Sequence, residues 1–175
     1  MRVRPYTPDD AGAIASILNH EIEHGVAHFG AEPKSTEDVR AELDAMPPRY
    51  PAFVAADESE VLGFCRSSPW KRRGAYAWSV ETTVYVRAAA QGRGVGKALY
   101  TELFGALRSL GYRTAIGGIT LPNDASVALH ESMGMRQVAQ LPNIGFKHAA
   151  WRDVGYWAMD LNPSMAGASP KPPGS

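Results

Sequence analysis

Apolar positions change their period several times along the chain. Ile14, Ile17, Leu18 and Ile22 recur at helical spacing behind Thr7-Pro8-Asp9-Asp10, which supplies an N-cap, a proline at the first helical position and an acid three residues after the cap. Val39, Leu43 and Met46 repeat the pattern behind Ser35-Thr36-Glu37-Asp38, and Pro47-Pro48 ends that helix. Arg2 to Pro5 reads as a short opening strand. Ala52 to Ala56 and Val61 to Ser67 read as a hairpin around an acidic turn, and Ala75 to Val86 as a longer strand. Leu99, Leu103, Leu107 and Leu110 then return to helical spacing and stop at Gly111. Thr114 to Leu121 follows as a buried strand, Asp124 to Met133 as a helix closed by Gly134, and about Gln137 to Leu141 and Asp153 to Leu161 as two last strands. The order β-α-α-β-β-β-α-β-α-β-β predicts an α/β (α+β layered) domain, a mixed central sheet flanked by helices, over residues 1–161. From Asn162 onward Pro, Gly, Ser and Ala dominate, which cannot build a core, so residues 162–175 are expected to be a disordered tail.

Composition narrows the partners. A chain of 175 residues buries a sizeable single core, and 18 basic residues balance 18 acidic ones. No net field therefore favours nucleic acid or an anionic membrane. The apolar runs fall short of a bilayer span and the N-terminus lacks an apolar leader, so the expected location is cytoplasmic. The single cysteine, Cys65, excludes an intramolecular disulfide, and its place in Val61-Leu62-Gly63-Phe64-Cys65 favours packing over nucleophilic chemistry.

The candidate chemistry centres on Gln91-Gly92-Arg93-Gly94-Val95-Gly96, set between a predicted strand and a helix start. Free helix N–H groups and the positive end of the helix dipole attract anions there, and the three glycines allow close approach to phosphate oxygens. A Walker A loop needs four residues between its first glycine and Gly-Lys, followed by Ser or Thr; here three residues separate Gly92 from Gly96-Lys97, and Ala98 follows. A dinucleotide fingerprint needs G-x-G-x-x-G, and the run is G-x-G-x-G. The run resembles instead the Q/R-x-x-G-x-G/A acyl-CoA pyrophosphate loop of the GCN5-related N-acetyltransferases, whose element order is also the one predicted here.

Four further stretches sharpen the resemblance: Trp70-Lys71-Arg72-Arg73-Gly74-Ala75-Tyr76-Ala77-Trp78; Val80-Glu81-Thr82-Thr83-Val84-Tyr85-Val86; Leu121-Pro122-Asn123-Asp124-Ala125-Ser126 running on to Leu129-His130-Glu131; and Gly145-Phe146-Lys147-His148 with Trp151-Arg152-Asp153-Val154-Gly155-Tyr156-Trp157. In this order they resemble the phosphinothricin N-acetyltransferases and their relatives that acetylate methionine sulfoximine and methionine sulfone. The resemblance covers about residues 2 to 161. It implies transfer of acetyl from acetyl-CoA to the α-amine of a small amino acid analogue, by direct attack, in a homodimer. Other acceptors (a polyamine, an antibiotic, a protein N-terminus) and a non-catalytic acyl-CoA-binding module are the alternatives.

Such a transfer needs a base for the amine, donors for the oxyanion and a proton or donor near the thiolate. Glu81 is the lone acid of an apolar strand, where desolvation raises a carboxyl pKa. By resemblance it is the general base; it could otherwise be a solvent-facing carboxylate or the partner of Arg73. His130 stands where the wider superfamily commonly has a tyrosine assigned as acid; it could donate to sulfur, contact substrate, or be a surface or capping residue. The resemblance places acetyl-CoA on Val84, Tyr85 and Val86, on Gln91, Gly92, Arg93, Gly94, Val95, Gly96 and Lys97, and on Asn123 and Ser126; Asn123 would serve equally as an N-cap. It places the amino acid on Phe29, Lys71, Arg73 and Tyr76, where arginine forks suit carboxylate and phosphinate oxygens. His20, His24 and His148 show no ligand spacing, and no metal is expected.

Overall fold

The computed structural model describes residues 1–58 and 60–165. Seven strands, β1 (Arg2–Pro5), β2 (Ala52–Ala56), β3 (Val61–Pro69), β4 (Ser79–Val86), β5 (Thr114–Leu121), β6 (Arg136–Lys147) and β7 (Ala150–Asp160), form one sheet in the order β1-β2-β3-β4-β5-β7-β6. Every neighbouring pair is antiparallel except β4 and β5. Helices α1 (Ala11–Glu23) and α2 (Thr36–Asp44) cover one face, while α3 (Val95–Ser109) and α4 (Asp124–Ser132) lie on the other.

The predicted periods account for both layers. Ile14, Ile17 and Leu18 of α1 and Val39 and Leu43 of α2 pack on Val54, Val61 and Phe64. Leu99, Tyr100, Leu103, Phe104 and Leu107 of α3 pack on Leu62, Cys65, Val80, Ala115 and Ile119. Each side chain buried in this way stabilises the fold by about 1.5–3 kcal/mol. Cys65 is a buried core residue whose Sγ faces the carbonyl of Leu99 at 3.5 Å, and burial pushes its thiol pKa up. The capping box at Thr7 opens a 3-10 turn, Pro8–Asp10, that leads into α1; the Ser35–Asp38 box opens α2.

Two boundaries differ from the sequence pattern. Residues 75–78 are not strand: the β3–β4 ladder ends at Pro69↔Val80, with only the Trp70 N to Ser79 O bond beyond it. Their backbone is satisfied by a 3-10 turn instead, with Tyr76 N on Arg73 O at 2.9 Å and Ala77 N on Gly74 O at 3.0 Å. The last two strands are longer than expected and meet at His148-Ala149, both at positive φ, as a tight hairpin requires. A register shift between Leu141 and Gly145 absorbs Pro142 and Asn143, the residues that disguised the continuation of β6. The predicted tail falls mainly on residues 166–175, outside the described residues; Pro163–Met165 form a 3-10 turn.

Candidate active site

The parallel pair β4–β5 is joined over three residues only, Ser79↔Thr114, Val80↔Ala115 and Glu81↔Ile116. Beyond Glu81, β4 stays with β3 and β5 stays with β7, so the sheet opens into a cleft. Hydrogen-bond phase decides which groups face it. Arg87 N donates to Leu62 O at 2.8 Å and Trp70 N to Ser79 O at 3.4 Å, so the odd-numbered residues of β4 spend their main-chain groups on β3. Val84 and Val86 therefore turn theirs into the cleft. On the other wall, Leu161 N bonded to Arg113 O at 2.8 Å commits the odd residues of β5 to β7 and leaves Gly118 and Thr120 facing the cleft. Of the expected run Val84–Val86, Tyr85 differs: its backbone belongs to β3, and its ring lines the cavities on the α1 side.

One end of the cleft runs into a groove of about 280 Å³ walled by Val84 to Val86, Gln91, Gly92, Gly94 to Lys97, Asn123 and Ser126. Gly92 and Gly94 take φ of +73° and +79° with open space where a Cβ would stand. Ala98 N makes the first helical bond, to Gly94 O at 3.0 Å, which leaves the N–H groups of Val95, Gly96 and Lys97 aimed outward. The third glycine has a second duty besides the one its spacing suggests. Gly96 is inside α3, and a Cβ there would meet Leu129 of α4 at 2.8 Å, so it serves helix packing. The exposed Arg93 stands outside the groove wall. Asn123 caps α4, its side chain accepting from Ser126 N at 3.1 Å, and also lines the groove.

The other end opens into a cavity of about 350 Å³ whose walls include Phe29, Glu81, Thr82, Val84, Gly118, Asn123, His130, Ile144 and Tyr156. Glu81 is half-buried at the fork of the sheet. Burial pushes its carboxyl pKa up, against the opposing fields of Lys71 and Arg66. Among the described residues no ion pair includes it, Arg73 not excepted. His130 is 3 % exposed and packs under Gly117, where an added Cβ would stand 2.6 Å from the ring. Its Nδ1 lies 2.7 Å from Ser126 O, which can only accept, so Nδ1 carries the proton and Nε2 accepts from the Tyr100 hydroxyl at 3.0 Å. Burial holds its pKa below the ordinary imidazole value. Thr82 hydrogen-bonds Ile116 O at 3.3 Å and completes the floor beside Tyr100.

Of the expected amino acid contacts, only Phe29 is in the cavity wall. Lys71 lies over the Trp70 ring at 4.8 Å, with its charge felt at Glu81. Arg73 and Tyr76 sit on the exposed turn after β3, outside the wall. Sequence reasoning gave no site role to Arg66, Thr82, Tyr100 and Tyr156. Strand alternation holds the signal for Arg66, which follows Phe64 on the same face of β3 and lies in register with Thr83 beside Glu81. A Gly145-Phe146-Lys147-His148 latch holds the loop bearing Phe29. Gly145 makes room for the Phe29 ring, Lys147 Nζ donates to Glu21 O (2.9 Å) and His28 O, and His148 Nε2 donates to Gly25 O at 2.9 Å.

A family model described as the acetyltransferase (GNAT) family matches residues 16–135, well over half the chain. The chain belongs to the GNAT family of N-acetyltransferases. It is 40% identical over 161 residues to a phosphinothricin N-acetyltransferase of Streptomyces viridochromogenes, covering 92% of this chain and 88% of that one. It is 30% identical over 167 residues to an L-methionine sulfoximine/L-methionine sulfone acetyltransferase of Salmonella typhimurium, covering 95% and 98%. A crystal structure of a phosphinothricin acetyltransferase from Sinorhizobium meliloti in complex with acetyl-CoA superposes with a TM-score of 0.90 at 31% identity over 99% of this chain and 94% of that one.

As a GNAT enzyme the protein takes acetyl from acetyl-CoA, and its residues fit that group. The open space over Gly92 and Gly94 and the outward N–H groups of Val95 to Lys97 suit a pyrophosphate. The unpaired backbone of β4 suits an extended amide-bearing arm laid along it as a strand would be. Among the described residues no group of three or more His, Cys, Asp or Glu is placed to hold a metal ion, and no helix is long and apolar enough to cross a membrane.

Proposed function

We propose that this N-acetyltransferase acetylates the α-amine of a small amino acid analogue of the phosphinothricin, methionine sulfoximine and methionine sulfone class, with Glu81 as the base. The observation that carries the reading is the unpaired, half-buried Glu81 carboxyl at the fork of β4 and β5, in the wall of the acceptor cavity that adjoins the groove at Val84, Asn123 and Ser126. Bound acetyl-CoA supplies an activated thioester carbonyl. Gly92, Gly94 and the first N–H groups of α3 hold its phosphates, with Asn123 and Ser126 on the opposite wall. The Val84 N–H, turned into the cleft, is the donor for the carbonyl oxygen. Glu81 takes the ammonium proton directly or through one water, and its raised pKa makes it a stronger base than an ordinary carboxylate. His130, neutral with both nitrogens engaged, positions the Tyr100 hydroxyl and supports the floor of the cleft. Phe29 bounds the acceptor's side chain, and Lys71, Arg73 and Tyr76 serve the acceptor only by bending in from their turn. The relatives named for phosphinothricin and for methionine sulfoximine and sulfone support the substrate class.

A homodimer and a cytoplasmic location, where acetyl-CoA is supplied, belong to the same proposal. The exposed Val138, Ile144, Phe146 and Trp151 of the β6–β7 hairpin are the contact surface it implies. The test of the catalytic reading is free-thiol release from acetyl-CoA with the three amino acids, spermidine and a peptide N-terminus as acceptors. Glu81→Gln is expected to lower kcat by about 10²–10⁴-fold and to leave acetyl-CoA binding intact by calorimetry. Unchanged turnover in that variant removes the base assignment, and turnover with spermidine or the peptide alone removes the substrate class.

A further inference from the structure

A third cavity, about 190 Å³, lies between the sheet and the α1–α2 layer and shares His28, Glu81, Thr83 and Tyr85 with the acceptor cavity. Its charged residues are Lys34, Glu42 and Arg66, besides Glu81. Lys34 Nζ bonds Glu42 Oε1, and Arg66 Nη1 stands 3.5 Å from Glu42 Oε2. Two cations thus share one carboxylate, and in the cavity wall the positive charge left over in this trio is faced only by Glu81. The Lys34 contact is the tight one, so Arg66 is the cation with N–H groups to spare. Register sets its direction. Ser68 pairs with Glu81 and Arg66 with Thr83, which makes Arg66 and Glu81 diagonal neighbours on one face, roughly 7–8 Å apart. Among the described residues no ion pair joins them, so the space between is bounded by an acid that can take a proton and a guanidinium that can bind an oxyanion.

We propose that Arg66 anchors an anionic oxyacid group of the amine acceptor, with Glu42 and Lys34 orienting its guanidinium, so that the acceptor spans from Glu81 to Arg66. This rests on the reading of the Glu81 cavity as the acceptor site. It moves the anchor from the exposed Arg73 turn to a side chain in the wall of the third cavity, which adjoins the acceptor cavity. A planar guanidinium suits carboxylate and phosphinate oxygens alike. The α-carboxylate and an acidic side-chain head are the two groups that present this chemistry.

The test compares Arg66→Met and Arg66→Lys with the wild type through two preference ratios of kcat/KM. One is phosphinothricin over its α-amide; the other is phosphinothricin over methionine sulfone, whose head is neutral. Each enzyme is assayed on the plateau of its own pH profile, because removing the Arg66 charge also moves the Glu81 titration. Arg66→Met is expected to collapse one ratio by about 10–100-fold, the loss of a hydrogen-bonded charge, with the acetyl-CoA KM unchanged. Collapse of the first ratio places the α-carboxylate on Arg66, and collapse of the second places the phosphinate head there. Arg66→Lys is expected to restore part of the lost preference. Both ratios unchanged in Arg66→Met, while the variant still binds acetyl-CoA by calorimetry, overturns the anchor and leaves the base intact. Wild-type turnover of none of these acceptors overturns both.

Discussion

At the scale of single residues, the proposed base is one carboxyl held away from partners. The acid form of Glu81 is inactive as a base, so kcat/KM is expected to rise with pH through its raised pKa and then level off. Lys71 lowers that pKa through its field, acting from its seat over Trp70. Lys71→Gln is accordingly expected to move the acid limb to higher pH. A pH profile that stays in place would show that solvent screens Lys71 from the carboxyl. Residues such as Glu81 were legible in the sequence because an acid in an apolar strand has few ordinary uses. His130 was only half legible. Its position pointed to the site, but whether its nitrogens are free depends on Ser126 and Tyr100, which lie 4 and 30 residues away and meet it only in the fold.

Among elements, local pattern was a good guide wherever a helix or strand met its partner in the expected phase, as in the α3 face running from Leu99 to Leu107. It failed where termination depends on a partner. The end of β3 at Pro69 stops β4 at Ser79, and the register shift near Leu141 lets β6 run on to Lys147. Nothing near Ala75 or Pro142 in the sequence records these long-range facts. The Gly145-to-His148 run gains its meaning at this scale, since it ties β6 to the loop after α1. Lys147 is 8 % exposed, and its ammonium satisfies two carbonyls, one of them in the last turn of α1. Lys147→Met leaves those carbonyls unpaired, and the loop carrying His28 and Phe29 loses its tether. The expected result is an amine KM raised about 10-fold or more, with a smaller rise in the acetyl-CoA KM, because Glu21 and Ala27 also border the α3 groove. Equal increases in both constants would point to general destabilisation instead.

For the whole molecule, the sheet ends in an outer strand whose apolar side chains are uncovered. Val138 and Phe146 are each 63 % exposed and Trp151 62 %, with the Phe146 and Trp151 rings 5.3 Å apart at their centroids. Exposed apolar surface on this scale marks an interaction surface. The proposed homodimer places a second copy there, and sedimentation of the wild type is expected to give twice the mass of 18.9 kDa. The double substitution Phe146→Ser, Trp151→Ser is expected to yield the single-chain mass; a wild type that sediments as a monomer rules out this contact. The cleft between β4 and β5 has a consequence of another kind. A sheet that comes apart after Glu81 is an unfinished piece of architecture, and in the proposed binding mode the thioester co-substrate supplies the missing rung. Ligand that binds only the folded chain stabilises it by mass action, by about 2.7 kcal/mol at a hundred times its Kd. Occupancy of the groove is thereby linked to the stability of the folded chain, and a thermal midpoint that rises with added acetyl-CoA is the expected readout.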